Sequence, residues 1–198
     1  MFRATSLLAA ALLLPAPAYA GGVGLTLASG FTSEKVFFYD SSDNDAQYQQ
    51  TQTIVNFGTG LEFVLGDRDD KITGVFRGFW LQDAAQKDPS LTTSLVDPND
   101  VVANVREVPR NIGIATFGVQ WGFVGRPDKF MLSAVTSVGA GFLTTDHTEF
   151  AMFQGGLGAT YAIGRTLQAY VDASGIVRYR KVFFPGAEAH AGIRVMFD

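Results

Sequence analysis

The sequence contains no cysteine, only two histidines and few charges, since Asp, Glu, Lys and Arg make up 17% of its 198 residues. Without cysteine, a disulfide scaffold and a thiolate metal site are excluded. A formal net charge of −4 argues against nucleic-acid binding, so we expect no nucleic-acid partner. Hydrophobic residues make up 47% of the chain, which is enough to bury surface and argues against intrinsic disorder.

Long apolar runs are also missing, except at the start of the chain. Arg3 gives a positive beginning, Leu7–Leu14 form an apolar stretch, and a small-x-small site ends at Ala20. The stretch is too short to span a bilayer, which takes about 20 residues. We therefore predict that residues 1–20 are a signal peptide cleaved after Ala20, and that 21–198 form one exported domain.

The rest of the chain shows no pattern typical of an amphipathic helix. Apolar residues alternate instead with polar or small ones, in eight successive runs. The seventh run is the clearest, with Val171, Ala173 and Val177 alternating with Asp172, Ser174 and Arg178. Alternation of this kind indicates strands with one apolar face, so the fold class predicted is all-β with eight strands.

The third run, 71–82, carries large apolar residues on both faces. Phe76 and Trp80 share one face, whereas Phe79 and Leu81 share the other with Arg77. A charge that faces lipid near the midplane costs about 2–4 kcal/mol. We therefore expect Arg77 to point inward.

Connections between the runs alternate in length. Short links with turn residues follow the second, fourth and sixth runs, at 66–70, 125–128 and 164–165. Longer links follow the odd-numbered runs, at about 33–49, 83–109, 144–148 and 183–186. An even-numbered meander with short turns at one end is typical of a transmembrane β-barrel whose turns face the periplasm.

These features, together with a last strand that ends Ile193-Arg-Val-Met-Phe197-Asp198, resemble the eight-stranded outer-membrane β-barrel proteins of Gram-negative bacteria. The resemblance implies an antiparallel up-and-down transmembrane barrel in the cell outer membrane. It also implies contact with outer-membrane lipid and lipopolysaccharide. The family's barrel-assembly machinery reads a terminal aromatic, usually Phe, and this chain departs by one residue because Asp198 follows Phe197.

Aromatic residues provide a further expectation about the topology. In the barrel they form two groups, one near each end of the strands, as interfacial girdles do. The alternative is a soluble β-sandwich or lipocalin-like barrel. That alternative requires the apolar faces to point into one core and the glycine-rich faces to point to water.

Charged residues on the opposite faces would line the interior. An eight-stranded barrel is just wide enough for side chains to fill it. Because positive and negative residues are nearly balanced there, we expect a paired polar plug rather than a wide pore, with a narrow channel for ions or small solutes as the alternative. The predicted lumen network consists of Glu62, Arg77, Asp172, Arg178, Glu188, His190 and Arg194.

Enzymatic chemistry has little support in the sequence. The two histidines are His147, in a predicted outer loop, and His190, in the predicted lumen. Some eight-stranded barrels modify lipid A, and the deacylase pattern of that family is His-x-Ser, which does not occur here. We therefore predict no catalytic residue, cofactor or metal site. A lipid-modifying hydrolase or acyltransferase is the second alternative.

The two longest links are acidic. Long loops are usually functional or flexible, so we expect envelope protein partners to bind there. The sequence thus favours a non-enzymatic outer-membrane barrel that anchors or displays loops, including as a subunit of a cell-envelope complex. The candidate partner-binding residues are Asp40, Asp43, Asp45, Asp83, Asp88, Asp97 and Asp100.

Overall fold

The structure, a computed structural model, describes residues 21–39, 47–83, 111–143, 148–180 and 182–197. They form eight strands: β1 (Gly21–Tyr39), β2 (Gln47–Leu65), β3 (Ile72–Asp83), β4 (Asn111–Gly125), β5 (Phe130–Leu143), β6 (Thr148–Ile163), β7 (Leu167–Arg180) and β8 (Val182–Phe197). Each strand pairs antiparallel with the next, and β1 pairs with β8, which closes the barrel. The predicted fold class is confirmed.

Three short turns lie at one end of the barrel, which we call the turn end. They join β2 to β3, β4 to β5 and β6 to β7, as the sequence predicted. Gly66, Gly125 and Gly164 begin these turns with φ values of 128°, 92° and 73°. Glycine suits these positions because a Cβ would be strained at positive φ. The opposite end, where the other four connections lie, is called the loop end.

The first predicted link, 33–49, is wrong in its extent. β1 continues to Tyr39 and β2 begins at Gln47, and these two residues face each other in the antiparallel register. The run 47–53 is made of glutamine, threonine and tyrosine, so it shows no alternation between apolar and polar residues. Pairing with β1 therefore extends β2 over residues whose sequence shows no hydrophobic alternation.

The last predicted link, 183–186, is also wrong, because these residues belong to β8. Pro185 pairs with Val177 of β7. The described pairing of β8 with β1 stops at Gly186, which faces Thr32. Pro185 therefore lies where β8 is an edge strand, and an edge tolerates a residue without an N–H group.

The two faces of the strands differ sharply. Large apolar side chains point outward and are exposed, with Leu25 at 66%, Leu157 at 64% and Phe153 at 62% of their full accessible area. Soluble monomers rarely expose apolar patches of more than a few hundred Å². The soluble alternative required these side chains to be inside and is contradicted. The exterior is that of a barrel that spans a membrane with its strands.

Among the described residues there is no helix that is long and apolar enough to cross a membrane.

Aromatic side chains occupy both ends of this outer surface. Trp80 and Phe142 meet at a ring-centroid distance of 6.2 Å, over Gly113 on the strand between them. A Cβ on Gly113 would overlap the Phe142 ring. The exposed aromatics near the turn end include Trp121, Phe123, Phe130, Tyr161 and Phe197, those toward the loop end include Phe31, Trp80, Phe142, Phe153, Tyr179 and Phe183, and Phe57, Phe76 and Phe117 lie between the two groups.

Inward-facing glycines make room for large rings in the narrow interior. Tyr170 lies over Gly192, where a Cβ would be 2.7 Å from Cε1 of the ring. Phe79 lies over Gly60 in the same way, with Cδ1 2.6 Å from the Cβ position. Both distances are below van der Waals contact, so the rings can occupy the lumen only because these two residues have no side chain.

Candidate functional site

The candidate site is the lumen, where strand alternation brings the predicted polar residues together. On β7 and β8, residues an even number of positions apart share a face, so their charged side chains all point inward. Arg77 on β3 is 4% exposed and Glu62 on β2 is fully buried. The lumen network comprises Glu62, Arg77, Asp172, Arg178, Glu188, His190 and Arg194, all buried.

Arg77 is the centre of the lumen network. Its Nε donates to Glu62 Oε2 at 2.7 Å, and its Nη2 donates to Asp172 Oδ2 at 2.6 Å. Charge-assisted hydrogen bonds of this length are roughly twice as strong as neutral ones. Because the three residues belong to β2, β3 and β7, these bonds connect opposite walls of the barrel.

Arg194 on β8 extends the lumen network toward the turn end. Its Nη1 donates to the second oxygen of Glu62 at 3.1 Å, and its Nε donates to Gln168 Oε1 at 2.9 Å. The ring of Tyr170 lies near two guanidinium groups, with its centroid 5.4 Å from Cζ of Arg77 and 5.4 Å from Cζ of Arg194. The face of an aromatic ring attracts a cation, so Tyr170 stabilises both guanidinium groups.

A second part of the lumen network lies closer to the loop end. Arg178 Nη2 donates to Glu188 Oε1 at 2.8 Å. His190 Nδ1 is 2.7 Å from Asp172 Oδ1, and the His190 ring stacks on Phe79 with a centroid distance of 4.9 Å. His190 therefore joins the two parts of the network and is fixed on one side by a carboxylate and on the other by an aromatic ring.

Uncharged polar residues complete the interior, and sequence reasoning missed them. Gln120 donates to Ser133 Oγ at 2.9 Å, and Ser137 donates to Gln154 Oε1 at 2.9 Å. The alternation of the strands places these residues on the inward faces and could have identified them, but a search limited to charged residues does not include them. The missed polar residues that form contacts in the lumen include Thr26, Gln120, Ser133, Gln154, Gln168 and Tyr170.

Charges in the lumen are balanced. Among the described residues, three buried carboxylates face three buried guanidinium groups, and His190 lies between the carboxylates of Asp172 and Glu188. Removing one member of such a buried pair typically costs about 3–5 kcal/mol, because the other charge is left without compensation. Among the described residues, no group of three or more His, Asp and Glu side chains is arranged to hold a metal ion.

An apolar cluster lies in the loop-end half of the lumen. The predicted network of charged residues did not include it, although Phe79 and Leu81 were expected on the inward face of Arg77. Ile112 is fully buried, and Leu81 and Met152 are each 1% exposed. These side chains lie beside the loop-end part of the lumen network, since Met152 pairs with Arg178 in the register and the Phe150 ring centroid is 5.3 Å from Arg178 Cζ. The cluster consists of Ala28, Phe79, Leu81, Ile112, Ile114, Leu143, Phe150 and Met152.

Arg68 crosses the turn end. It lies in the turn between β2 and β3, and its Nη2 donates to Gly164 O at 2.8 Å while its Nη1 donates to Arg165 O. Gly164 and Arg165 lie in the turn that joins β6 to β7. This turn is four strands away around the barrel and therefore on the opposite wall. A single side chain thus spans the opening at this end.

The turn between β4 and β5 is closed by a bidentate ion pair. Arg126 Nε and Nη2 donate to the two oxygens of Asp128 at 2.9 and 2.7 Å. These hydrogen bonds from Arg126 hold the pKa of the Asp128 carboxyl below its usual range. The pair is exposed, so it shapes the turn and contributes little to stability.

The acidic loop candidates fall mostly outside the described residues. Asp83 is the last residue of β3. His147, the other histidine weighed for catalysis, also lies outside the described residues. The remaining partner-binding candidates, Asp40, Asp43, Asp45, Asp88, Asp97 and Asp100, lie there too.

Comparisons with known proteins bear on the fold only. The barrel has the architecture of an eight-stranded outer-membrane β-barrel. No family model matches the sequence, and no curated protein matches it. Among solved structures, it is similar to the crystal structure of Ail, the attachment invasion locus protein of Yersinia pestis, with 8% sequence identity and a TM-score of 0.46. The match covers 90% of this chain and 99% of that chain. At that identity it says nothing about what this barrel binds.

Proposed function

We propose that this protein is a non-enzymatic integral outer-membrane barrel that anchors and displays the segments at its loop end, including as a subunit of a cell-envelope complex. The observation that carries the proposal is the filled lumen. Paired charges occupy its centre, an apolar cluster occupies the loop-end half, and Arg68 crosses the turn end. A barrel filled in this way offers its exterior and its loop end to other molecules.

The exterior supports the anchoring part of the proposal. Its outward side chains are apolar over most of the strand length, and the aromatic residues lie near both ends. Burial of this surface in lipid, combined with a lumen of balanced charge, gives a barrel that is stable in a membrane without a partner. Lipid and lipopolysaccharide are then its immediate neighbours.

The filled lumen argues against the channel alternative. Hydrophobic constrictions block ions because water does not wet them. Phe79, Leu81 and Ile112 are buried in the loop-end half, and we expect them to form such a constriction. Conduction would require these side chains and the lumen network to move together.

The enzyme alternative gains no support from His190. A general base must reach the proton that it removes from a substrate. His190 is 1% exposed and lies between Asp172 and the ring of Phe79. A substrate could not contact its ring without displacing packed side chains.

Membrane insertion and conductance test the anchoring proposal. We expect the protein in the outer-membrane fraction, with a band on an unboiled gel that shifts on heating. The purified barrel in planar bilayers should give no single-channel currents above those of protein-free bilayers. Reproducible currents from the folded barrel would overturn the closed-lumen proposal, and a soluble periplasmic protein would overturn the membrane anchor.

Cross-linking tests the display proposal. The chain has no cysteine, so Ser42→Cys and Ser94→Cys each introduce a single reactive thiol in the two long connections. We expect cross-links from intact cells to defined envelope proteins at these positions. Asp69→Cys in a turn-end loop is the matched control and should not give the same products. Identical products from all three positions would contradict display at the loop end.

A further inference from the structure

The hairpin formed by β1 and β2 extends past the strands on either side of it. Residues 33–39 of β1 pair with residues 47–53 of β2 in one continuous register. The pairing of β1 with β8 stops at Thr32, however, and the pairing of β2 with β3 starts only at Asn56. The two segments, which we call the arm, therefore form a two-stranded ribbon about 20 Å long, at roughly 3.3 Å per residue.

The arm has two outer edges, and only one of them carries the features that block strand addition. Natural proteins protect an exposed edge with charges, especially lysine, with proline or with a bulge. The β1 edge contains Glu34 and Lys35, and β8 has Pro185 next to its last pair with β1. The β2 edge, residues 47–55, contains no charge, proline or glycine, and its register with β1 has no bulge. No described residue pairs with it on the β3 side.

An unpaired strand edge presents backbone N–H and C=O groups in a fixed repeat, and an extended polypeptide is the ligand with the matching repeat. We propose that residues 47–55 of β2 bind an extended segment of another envelope protein, which adds to the arm as a further strand. This inference rests on the proposed function, because it assigns a place and a binding mode to the display at the loop end.

A second copy of the chain is a poor occupant of this edge. Copies in one membrane share their orientation, so their β2 strands run in the same sense along the membrane normal and cannot pair antiparallel. Strands in such barrels tilt by about 35–45°, so the β2 strands of two copies related by a twofold axis along the normal would cross at roughly 70–90°. Strands that cross at this angle do not form a ladder of hydrogen bonds.

The absence of charge on the edge defines the chemistry of the partner. Main-chain hydrogen bonds hold an added strand, and side-chain contacts select it. A partner segment of uncharged polar and apolar residues fits residues 47–55, and its binding should depend little on salt. Binding through acidic candidates such as Asp43 and Asp45 would instead weaken at high salt.

Amide hydrogen exchange of the full chain in detergent micelles tests whether the edge is open. Alternate residues of an antiparallel strand bond to the same neighbour, so every second amide of residues 47–55 should be protected by β1 and the others should lack protection. Protection of all these amides in the isolated protein would show that the chain itself covers the edge, and would overturn the proposal.

A synthetic peptide with the sequence of residues 31–39 is the probe for strand addition, because β2 already accepts this sequence on its other edge. We expect the peptide to protect the open set of amides in a saturable manner that high salt does not reverse. The same peptide with Val36→Pro and Phe38→Pro is the control and should give no protection, since proline lacks the N–H group. Equal protection by both peptides, or by neither, would contradict strand addition.

Proline variants of the arm extend the test to intact cells. Gln50→Pro and Thr51→Pro are a matched pair, because the N–H groups of adjacent residues point to opposite edges. The variant whose N–H group faces the open edge should lose the cross-links of Ser42→Cys while the amides that face β1 stay protected. Cross-links that persist in this variant would overturn edge binding and leave display intact. If Ser42→Cys and Ser94→Cys give no cross-links at all, display fails, and the peptide result decides the edge separately.

Discussion

Arg77 and Asp172 meet across the lumen, with Nη2 of the guanidinium 2.6 Å from Oδ2 of the carboxylate. Their strands, β3 and β7, lie four positions apart in a barrel of eight strands and so on opposite walls. The pair therefore joins two parts of the chain that are 95 residues apart in sequence. No strand pairing joins β3 to β7, because each strand pairs only with its two neighbours.

Replacement of Arg77 should destabilise the barrel strongly. Arg77→Leu removes the cation that Glu62 and Asp172 share, and we expect a loss of about 3–5 kcal/mol in the free energy of unfolding. Urea titration of the protein folded in lipid vesicles measures it. Arg126→Leu is the control, since its partner Asp128 lies in an exposed turn, and its unfolding midpoint should not change. A midpoint for Arg77→Leu equal to that of the wild type would show that the lumen network does not stabilise the fold.

A charge placed on the outer face should report the position of the membrane. Leu157 lies midway between Phe153 and Tyr161 on β6, and all three point outward. Leu157→Arg should cost about 2–4 kcal/mol in vesicles, whereas Ile163→Arg at the turn-end rim should cost about 0–1 kcal/mol. The same urea titration compares the two variants. Equal losses of unfolding free energy in the two variants would contradict the placement of Leu157 near the membrane midplane.

Glycines of the two faces should respond differently to alanine. In Gly192→Ala the new Cβ would overlap Tyr170, so we expect a loss of roughly 1–3 kcal/mol. In Gly155→Ala the new Cβ points outward and meets nothing within 4 Å. That variant should be neutral or slightly more stable, because alanine loses less backbone entropy than glycine on folding. Thermal unfolding in detergent measures both, and a destabilised Gly155→Ala would argue against the described orientation of β6.

Release of Arg68 should open the turn end. Thr160 lies on β6 near this end, faces the lumen and is 3% exposed. In a chain without cysteine, Thr160→Cys carries the only thiol, and its reaction with a water-soluble reagent reports access to the lumen. We expect Arg68→Ala to increase that reaction rate several-fold. Arg126→Ala should leave the rate unchanged, and an unchanged rate in Arg68→Ala would mean that Arg68 does not close the opening.

The number of strands could be predicted because it follows from local alternation of apolar and polar residues. The inward position of Arg77 could be predicted because exposing its charge to lipid costs a large free energy. Alternation alone gives each strand its two faces. On the ambiguous third run, the cost of exposing Arg77 to lipid decides which face is inside. Its partner Asp172 could not be identified from the sequence, because the pairing depends on which walls of the closed barrel are opposite.

The parts that the sequence did not reveal depend on pairing rather than composition. β2 begins at Gln47 because β1 lies beside it, although its first residues carry no hydrophobic signal. β8 includes Pro185, a residue that usually indicates a break, because the second neighbouring strand is no longer paired there. The apolar cluster in the lumen could be predicted only in part. Phe79 and Leu81 share the inward face of Arg77, but the other members come from β1, β4, β5 and β6 and meet them only in the closed barrel.

The strict register of the strands restricts how the chain could change its length during evolution. Inserting one residue after Val171 would turn Asp172 toward lipid and would reverse the inside and outside positions of the rest of β7. Such an insertion would damage the hydrophobic exterior and the interior at the same time. Additions and deletions are therefore tolerated only in the connections, and most easily at the loop end, because glycines with positive φ fix the geometry of the three short turns at the other end.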